Sequence, residues 1–208
     1  LGLAALLVVD ARWPALNARW WAPLLAVLAA LAVQVFRANG SGSLTGWGLT
    51  IAGGCYLGFA LGTFVRLREG PGGAVWLALA LLATWITDTG AYFVGRTLGR
   101  RPFFPHISPK KTLEGAVGGL VTGVIAVMIM GAWWLNLNLA LGAALGVFLA
   151  FGATFGDLAE SVLKRQVQVK DSGNLIPGHG GMLDRVDSLL FVVPIVYYYT
   201  VLLGLNLP

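Results

Sequence analysis

Long apolar stretches separated by short polar segments run along most of the chain. Six of them come close to the roughly 20 residues that a helix needs to cross the hydrocarbon core of a bilayer. The predicted spans cover about 20–37, 47–66, 74–95, 113–135, 138–164 and 187–206. Residues 1–9 are too few to span a bilayer, and we interpret them as the end of a further helix in a chain truncated at its N-terminus. The pattern therefore predicts an all-α, polytopic membrane bundle that forms one transmembrane domain over residues 1–208.

The composition agrees with a membrane protein. Hydrophobic residues make up 57% of the chain and charged residues only 11%, whereas soluble domains carry about 25% charged residues. The formal net charge of +5 does not indicate nucleic-acid binding, because the chain has neither a basic helix nor a basic stripe interleaved with aromatic residues. The lipid bilayer is therefore the first partner that the sequence predicts.

Two polar loops, 96–112 and 164–187, carry most of the charge. Only a predicted helix, a short turn and a second helix separate them, so both loops face the same side of the membrane. Because Lys and Arg collect in cytoplasmic loops, that side is predicted to be the cytoplasm. Arg66 and Arg68 fall on the opposite side and count against this orientation.

Asp157 lies inside the predicted 138–164 span, two turns before its cytoplasmic end. A carboxylate at that depth is costly and indicates a functional site by default. Glu160, Ser161 and Lys164 follow at helical spacing, so all four side chains share one face. The structural alternative is an Asp–Lys pairing along this face that only neutralises the charges.

Asp88 is the second acid within a predicted span, and Tyr92 and Arg96 lie four and eight positions further along the same face. A structural salt link between Asp88 and Arg96 and a role on the substrate path are both open. The segment "PHISPKKTLEG" follows in the basic loop. Its paired lysines, Lys110 and Lys111, stand beside a predicted helix N-terminus and suit a phosphate group. Alternatively, they only mark the cytoplasmic side.

The segment "LIPGHGGMLDR" cannot continue a helix, because its proline and glycines interrupt the pattern. Glycines let backbone N–H groups approach an anion closely, as nucleotide phosphates require. Asp184 and Asp187 follow at the start of the last predicted helix, where acids also suit the helix dipole without any ligand. Asp157, Asp184 and further acids of the loop are hard oxygen donors of the kind that Mg²⁺ prefers. Carboxylates, cations and glycines at one membrane surface indicate phosphoryl or nucleotidyl transfer. We expect the head-group pocket between the 138–164 helix and the last helix.

One continuous string of residues carries a resemblance to a known family. It runs through Ser161, Lys164-Arg165, Lys170-Asp171, Gly173, Ile176-Pro177, His179-Gly180-Gly181, Asp184-Arg185 and Asp187. This string resembles the signature of the phosphatidate cytidylyltransferase (CDP-diacylglycerol synthase) family, without departure over its 27 positions. The upstream "TDTGAYFVGRTLGRR" and "SPKKTLEG" are also similar to that family, and extend the likeness over about residues 85–190.

The resemblance implies that CTP and phosphatidic acid react to give CDP-diacylglycerol and pyrophosphate in phospholipid synthesis. It also implies Mg²⁺ as the cofactor, a second, monovalent ion such as K⁺, a homodimer, and a site on the cytoplasmic face of the bacterial inner membrane. The residues expected to be catalytic are Asp157, Lys164, Asp184 and Asp187, with Asp157 and Asp184 as metal ligands. Those expected to bind substrate are Asp88, Lys110, Lys111, Ser161, Arg165, Lys170, Asp171, His179, Gly180, Gly181 and Arg185.

Two rival functions remain open from the sequence. Another CTP-dependent lipid enzyme, such as a polyprenol kinase or an archaeal-type CDP-lipid synthase, would share much of the chemistry. An ion-coupled transporter would also carry acids within its spans. Transporter sites are built from discontinuous helices near the middle of the membrane, whereas these acids cluster near one face beside a glycine loop.

Overall fold

The computed structural model describes residues 1–36, 44–166, 168–169, 172–173 and 181–205. These residues form helices joined by short segments, and the β-structure among them is a single isolated bridge between Pro102 and Thr112. The chain divides into two compact units, Leu1–Glu69 and Gly70–Pro208. The segment of about 85–190 that carries the resemblance lies wholly in the second unit.

The first unit contains three α-helices that pack around small side chains. They are α1 (Gly2–Arg12), α2 (Ala18–Phe36) and α3 (Leu44–Glu69), with a 3₁₀ turn at Pro14–Leu16 between α1 and α2. A methyl group on Gly58 of α3 would lie 3.0 Å from the Cα of Ala4, so this glycine allows α1 and α3 to pack in close contact.

A buried carboxylate organises one end of the first unit. Asp10 is fully buried, accepts a hydrogen bond from the backbone N–H of Ala18 at 2.6 Å, and lies 3.3 Å from Arg19 and 3.6 Å from Arg66. Arg66 counted against the predicted orientation. Because its charge is paired with Asp10, it is a weaker indicator of membrane sidedness than an unpaired cation would be.

The second unit contains the helices that carry the predicted site. They are α4 (Gly73–Leu98), α5 (Leu113–Leu135), α6 (Leu139–Gln166), the one-turn α7 (Leu183–Val186) and α8 (Leu189–Leu202). In the described part of the chain, four helices are long and apolar enough to cross a membrane: α3, α4, α5 and α6. The all-α membrane fold is thus confirmed. The predicted count of six full spans is not, because the apolar helices α2 and α8 are shorter.

Glycines four residues apart bring the helices of the second unit together. A methyl group on Gly119 of α5 would lie 2.8 Å from the carbonyl oxygen of Thr87 in α4. A methyl group on Gly156 of α6 would lie 2.8 Å from the Cα of Ser188, just before α8. Close helix approach through small residues is the usual packing mode in membranes, and here it packs α5 against α4 and α6 against the start of α8.

The last predicted span, 187–206, is observed as the shorter α8, and a separate one-turn helix, α7, precedes it. Asp184 lies in α7, whereas Asp187 and Ser188 form a turn before α8. The N–H of Ser188 donates to the carboxylate of Asp187 at 2.6 Å. A side-chain acceptor of this kind competes with the helical backbone bond and interrupts the helix. Both turn residues keep right-handed helical dihedral angles, so the chain direction is largely retained.

Candidate active site

A cavity of about 520 Å³ lies between α4, the basic loop, the start of α5 and α6. Its charged lining side chains are Asp88, Arg96, Lys110, Lys111 and Asp157. The sequence placed the pocket between α6 and the last helix. The cavity instead lies between α6, α4 and the basic loop. Asp157 and the paired lysines, which the sequence analysis treated separately, therefore line the same cavity.

Hydrogen bonds fold the basic loop back onto the start of α5. Thr112 caps α5 by accepting a hydrogen bond from the N–H of Gly115 at 3.2 Å. Glu114 accepts hydrogen bonds from the N–H groups of Arg100 at 3.0 Å and Arg101 at 3.1 Å. These contacts fix both ends of the loop that carries the paired lysines.

Lys111 reaches across the cavity to Asp157. Its ammonium lies 2.6 Å from the Asp157 carboxylate, and backbone hydrogen bonding between Phe103 and Lys111 at 2.8 Å sets its position in the loop. Ser161 donates a longer hydrogen bond of 3.4 Å to the other oxygen of Asp157. The lysine that pairs with Asp157 therefore belongs to the basic loop and is not Lys164 of its own helix.

Asp88 lies on the cavity wall without a hydrogen-bond or salt-bridge partner among the described residues. The alternative of a salt link to Arg96 is not formed, because Arg96 donates to the hydroxyl of Tyr92 at 2.8 Å. Asp88 is close enough to Asp157 and Lys111 for electrostatic interaction. An unpaired carboxylate at the wall of a cavity within a span fits a role toward a bound group better than a structural one.

A second charged cluster joins the end of α6 to α7. The ammonium of Lys164 donates to Glu160 at 3.0 Å and to Asp184 at 2.8 Å. The other oxygen of Asp184 accepts three hydrogen bonds, from the N–H and hydroxyl of Ser172 at 2.8 and 2.7 Å and from the N–H of Gly181 at 2.8 Å. Asp184 therefore links α6 to Ser172 and Gly181. These two residues are the described edges of the glycine-containing loop, the segment between α6 and α7.

The protonation state of Asp184 follows from these contacts. Partial burial acts to raise its pKa, but the hydrogen bonds from Lys164, Ser172 and Gly181 outweigh burial and hold the pKa well below its ordinary value. Asp184 is consequently ionised at physiological pH. Any bound cation has to compete with donors that are already in place.

The remaining predicted residues fall into two groups. Ser161, Arg165, Lys110 and Arg185 are described; Arg165 and Lys110 are exposed, at the end of α6 and in the basic loop. Four predicted residues lie outside the described part of the chain: Lys170, Asp171, His179 and Gly180.

The model of the family described as "Cytidylyltransferase family" matches residues 2–203, nearly the whole chain. The chain belongs to the cytidylyltransferase family. It is 43% identical over 145 residues to the phosphatidate cytidylyltransferase of Bacillus subtilis, covering 69% of this chain and 54% of that protein. It is 48% identical over 135 residues to the Synechocystis protein of the same name, covering 64% and 45%. The chain spans about half the length of the curated relatives it matches.

A further relative carries no functional name. The chain is 42% identical over 128 residues to an uncharacterised protein of Escherichia coli, covering 62% of this chain and 43% of that protein. Similarity across this part of a cytidylyltransferase-family chain therefore extends to a protein of unassigned function. The site's own geometry is for that reason needed to choose among functions.

The two predicted metal ligands of this cytidylyltransferase-family chain differ in their free acceptor capacity. Asp157 lies at the cavity, and donors from the described residues occupy only two of its roughly four lone-pair positions. Asp184 already accepts four hydrogen bonds. Within the described residues, no three His, Cys, Asp or Glu side chains are arranged to hold a metal ion. Asp157 thus fits Mg²⁺ as a hard oxygen donor. Asp184 is a donor of the same kind, but Mg²⁺ would have to replace one of the hydrogen bonds that Asp184 now accepts.

Glu160 is the site residue that the sequence noted but gave no role. It is only 4% exposed, and it shares the ammonium of Lys164 with Asp184. The signal was its position one helical turn before Lys164, which places a carboxylate beside the lysine. The spacing did not reveal that α7 would supply a second carboxylate to the same ammonium.

Proposed function

We propose that this chain carries the catalytic part of a phosphatidate cytidylyltransferase, which transfers the cytidylyl group of CTP to phosphatidic acid. The observation that carries the proposal is the ion pair of Lys111 and Asp157 at a cavity between membrane helices. Two relatives bear that name, and the signature residues Lys164 and Asp184 are joined by a direct hydrogen bond. A polar cavity among apolar helices suits a reaction between a nucleotide and a lipid head group.

The reaction requires little proton chemistry from the protein. A phosphate oxygen of phosphatidic acid attacks the α-phosphorus of CTP, the bond to the bridging oxygen of the β-phosphate breaks, and pyrophosphate leaves. Because the attacking phosphate is already anionic at neutral pH, no strong general base is required. The protein has to hold two anionic substrates together and offset their charge.

The residues of the cavity supply that charge and orientation. Lys111 is 28% exposed and already directed into the cavity by Asp157, so it is available to a phosphate oxygen. Lys110 and Arg96 line the same cavity and add positive charge along the path of an incoming anion. Asp88 has no hydrogen-bond or salt-bridge partner in the described part of the chain, so it can accept a hydrogen bond from a substrate donor.

Mg²⁺ is proposed as the cofactor, with Asp157 and Asp184 as its protein ligands. When bound, Mg²⁺ would neutralise phosphate charge and polarise the α-phosphoryl group. Asp157 would orient the ion toward the cavity, and Asp184 would hold it at the edge of the glycine-containing loop. A second, monovalent ion such as K⁺ remains a prediction from the resemblance.

The membrane arrangement is also proposed. With 19 residues, α2 reaches about 28 Å, which is close to the hydrocarbon thickness. The 14 residues of α8 reach about 21 Å and would need the adjoining α7 turn to complete a crossing. Six spans in the bacterial inner membrane, with the site on the cytoplasmic side, would agree with the loop charges. A homodimer, implied by the resemblance, can be tested by the mass of the detergent-solubilised protein.

A labelling experiment separates the candidate functions. The purified protein is reconstituted in phosphatidic acid vesicles with Mg²⁺ and given CTP labelled either at the α- or at the γ-phosphorus. Cytidylyl transfer puts only the α-label into lipid and releases the γ-label as pyrophosphate. A lipid kinase would transfer the γ-label, and a transporter would transfer neither. A panel of ester- and ether-linked lipid phosphates distinguishes an archaeal-type synthase.

A further inference from the structure

Glu160 is a buried acid with an incomplete set of partners. One of its carboxylate oxygens accepts from Lys164 at 3.0 Å. The other oxygen is buried and has no hydrogen-bond partner among the described residues. Buried carboxylates are normally paired and hydrogen-bonded, because removing an ion from water is costly. A residue kept in this state needs an explanation beyond stability.

The charges around Glu160 exceed what neutralisation requires. Asp184 shares the same ammonium, and Asp187 lies close enough to Glu160 to interact with it electrostatically. Lys164 therefore has two acidic partners, Glu160 and Asp184, and Asp187 adds a third carboxylate beside Glu160. If the purpose were only to neutralise Lys164, the contact with Asp184 would suffice, and Glu160 could be apolar with a gain in stability.

The geometry shows what the second carboxylate adds. Lysine is a point charge on a flexible four-carbon stem, so one partner leaves its ammonium free to swing. Glu160 stands one turn earlier on α6, in the favourable Glu-to-Lys order along a helix. Glu160 contacts the Lys164 ammonium from α6, and Asp184 contacts the same ammonium from α7. The ammonium is then held at one point between two helices.

The restriction extends from Lys164 to the loop. Asp184 accepts hydrogen bonds from the backbone N–H groups of both Ser172 and Gly181, each at 2.8 Å. A shift of the Lys164 ammonium would release or rotate Asp184, and both N–H groups would lose their acceptor. Three successive contacts thus connect Glu160 to the two described edges of the glycine-containing loop.

We propose that Glu160 is a positioning residue: it holds Lys164 against Asp184 and thereby fixes the edges of the glycine-containing loop at Ser172 and Gly181. The kinetic consequence rests on the proposed cytidylyl transfer. The structural consequence does not, because loop order can be measured without any substrate.

The first test measures backbone amide exchange in the substrate-free protein. Glu160→Gln keeps the shape of the side chain and removes its charge. Exchange of the Ser172 and Gly181 amides should become about tenfold faster, as expected when roughly one hydrogen bond's net contribution is lost. Lys164→Gln breaks the same connection at a partly exposed residue and should give the same change, which covers the case in which the Glu160 variant does not fold. Glu69→Gln removes a carboxylate that, within the described residues, pairs with exposed Arg12, and it is the matched control.

The second test measures kinetics at matched amounts of folded protein. Glu160→Gln should lower kcat about 10- to 100-fold, as loss of an outer-shell partner typically does, with a smaller change in KM for CTP. Adding Lys164→Gln to it should cause no further loss beyond Lys164→Gln alone, because both act through one contact.

The outcomes distinguish the two proposals. Unchanged exchange at Ser172 and Gly181 in both variants overturns the positioning role, whatever the kinetics. Activity that falls only in proportion to folded protein also overturns it, in favour of a purely stabilising role. Wild-type protein that transfers no cytidylyl group would refute the proposed function, while the exchange result would still decide the role of Glu160.

Discussion

Lys111 and Asp157 meet at 2.6 Å across a cavity, although one belongs to the basic loop and the other lies within α6. Each residue had its own explanation in the sequence, as a phosphate-binding lysine and as a metal-binding acid. Their contact makes them one unit, in which the acid orients the cation and the cation offsets the cost of an acid among apolar helices. Substrate phosphate and bound metal would each compete for one member of the pair.

Replacing both Lys110 and Lys111 with glutamine should weaken substrate binding more than turnover. Their loss removes positive charge that holds an anion in the ground state and the transition state alike, so the apparent KM for CTP or phosphatidic acid should rise more than kcat falls. Arg68→Gln removes an exposed cation outside the cavity and serves as the control. Kinetic constants equal to those of the wild type would reduce the two lysines to indicators of sidedness.

Replacing Asp88 with asparagine should separate activity from stability. Because Asp88 has no described partner and its charge lies within a helix that can span the membrane, the neutral residue should leave the melting temperature in detergent unchanged or raised. Cytidylyl transfer should fall, since the cavity loses the negative charge of Asp88 and one of its two carboxylate acceptors. A lower melting temperature with normal activity per folded protein would instead indicate a structural acid.

Replacing Gly119 with alanine should loosen the contact between α4 and α5. The added methyl group would lie 2.8 Å from the backbone oxygen of Thr87, and overpacking of this kind typically costs about 1–3 kcal/mol. Gly53→Ala is the matched control, because a methyl group there meets nothing within 4 Å and alanine favours the helix. Equal melting temperatures for the two variants would contradict the close packing.

The sequence was sufficient to predict elements that depend on residues close together in the chain. The apolar run of 113–135 matches α5 residue for residue, and that of 138–164 matches α6 to within two residues, because length and hydrophobicity decide where a helix can cross a bilayer. The Thr112 cap was also predictable, since the N–H group that donates to Thr112 belongs to Gly115, three residues away. The short length of α8 was less predictable, because the hydrogen bond from the Ser188 N–H to the Asp187 side chain ends the preceding turn.

Partnerships between distant elements could not be predicted. Helical spacing correctly placed Glu160 beside Lys164, but it cannot indicate that Lys111 would pair with Asp157 or that Asp184 would share Lys164. Those pairings depend on glycines such as Gly119 and Gly156, which set how closely the helices approach. Chemistry could therefore be assigned to residue types, whereas the arrangement of the site required the fold.

Acid should destabilise the contacts between α6 and α7 through Asp184. A carboxylate whose pKa is depressed in the folded state contributes stability above its unfolded pKa of about 4, and that stability is lost as the pH falls toward the folded value. Melting temperature should therefore decline below about pH 4 more steeply for the wild type than for Asp184→Asn. Parallel pH profiles for the two proteins would contradict the depressed pKa.

The most direct measurement is the turnover of Asp157→Asn, recorded as α-label of CTP transferred to phosphatidic acid per folded protein. Asparagine keeps the shape of the side chain, but it loses the charge that orients Lys111 and would hold Mg²⁺ at the cavity. Turnover should fall by at least about 100-fold, the effect of losing one strong electrostatic contact to a transition state, while the melting temperature stays within a few degrees of the wild type. An Asp157→Asn protein that turns over at the wild-type rate would contradict a catalytic site built on Lys111 and Asp157.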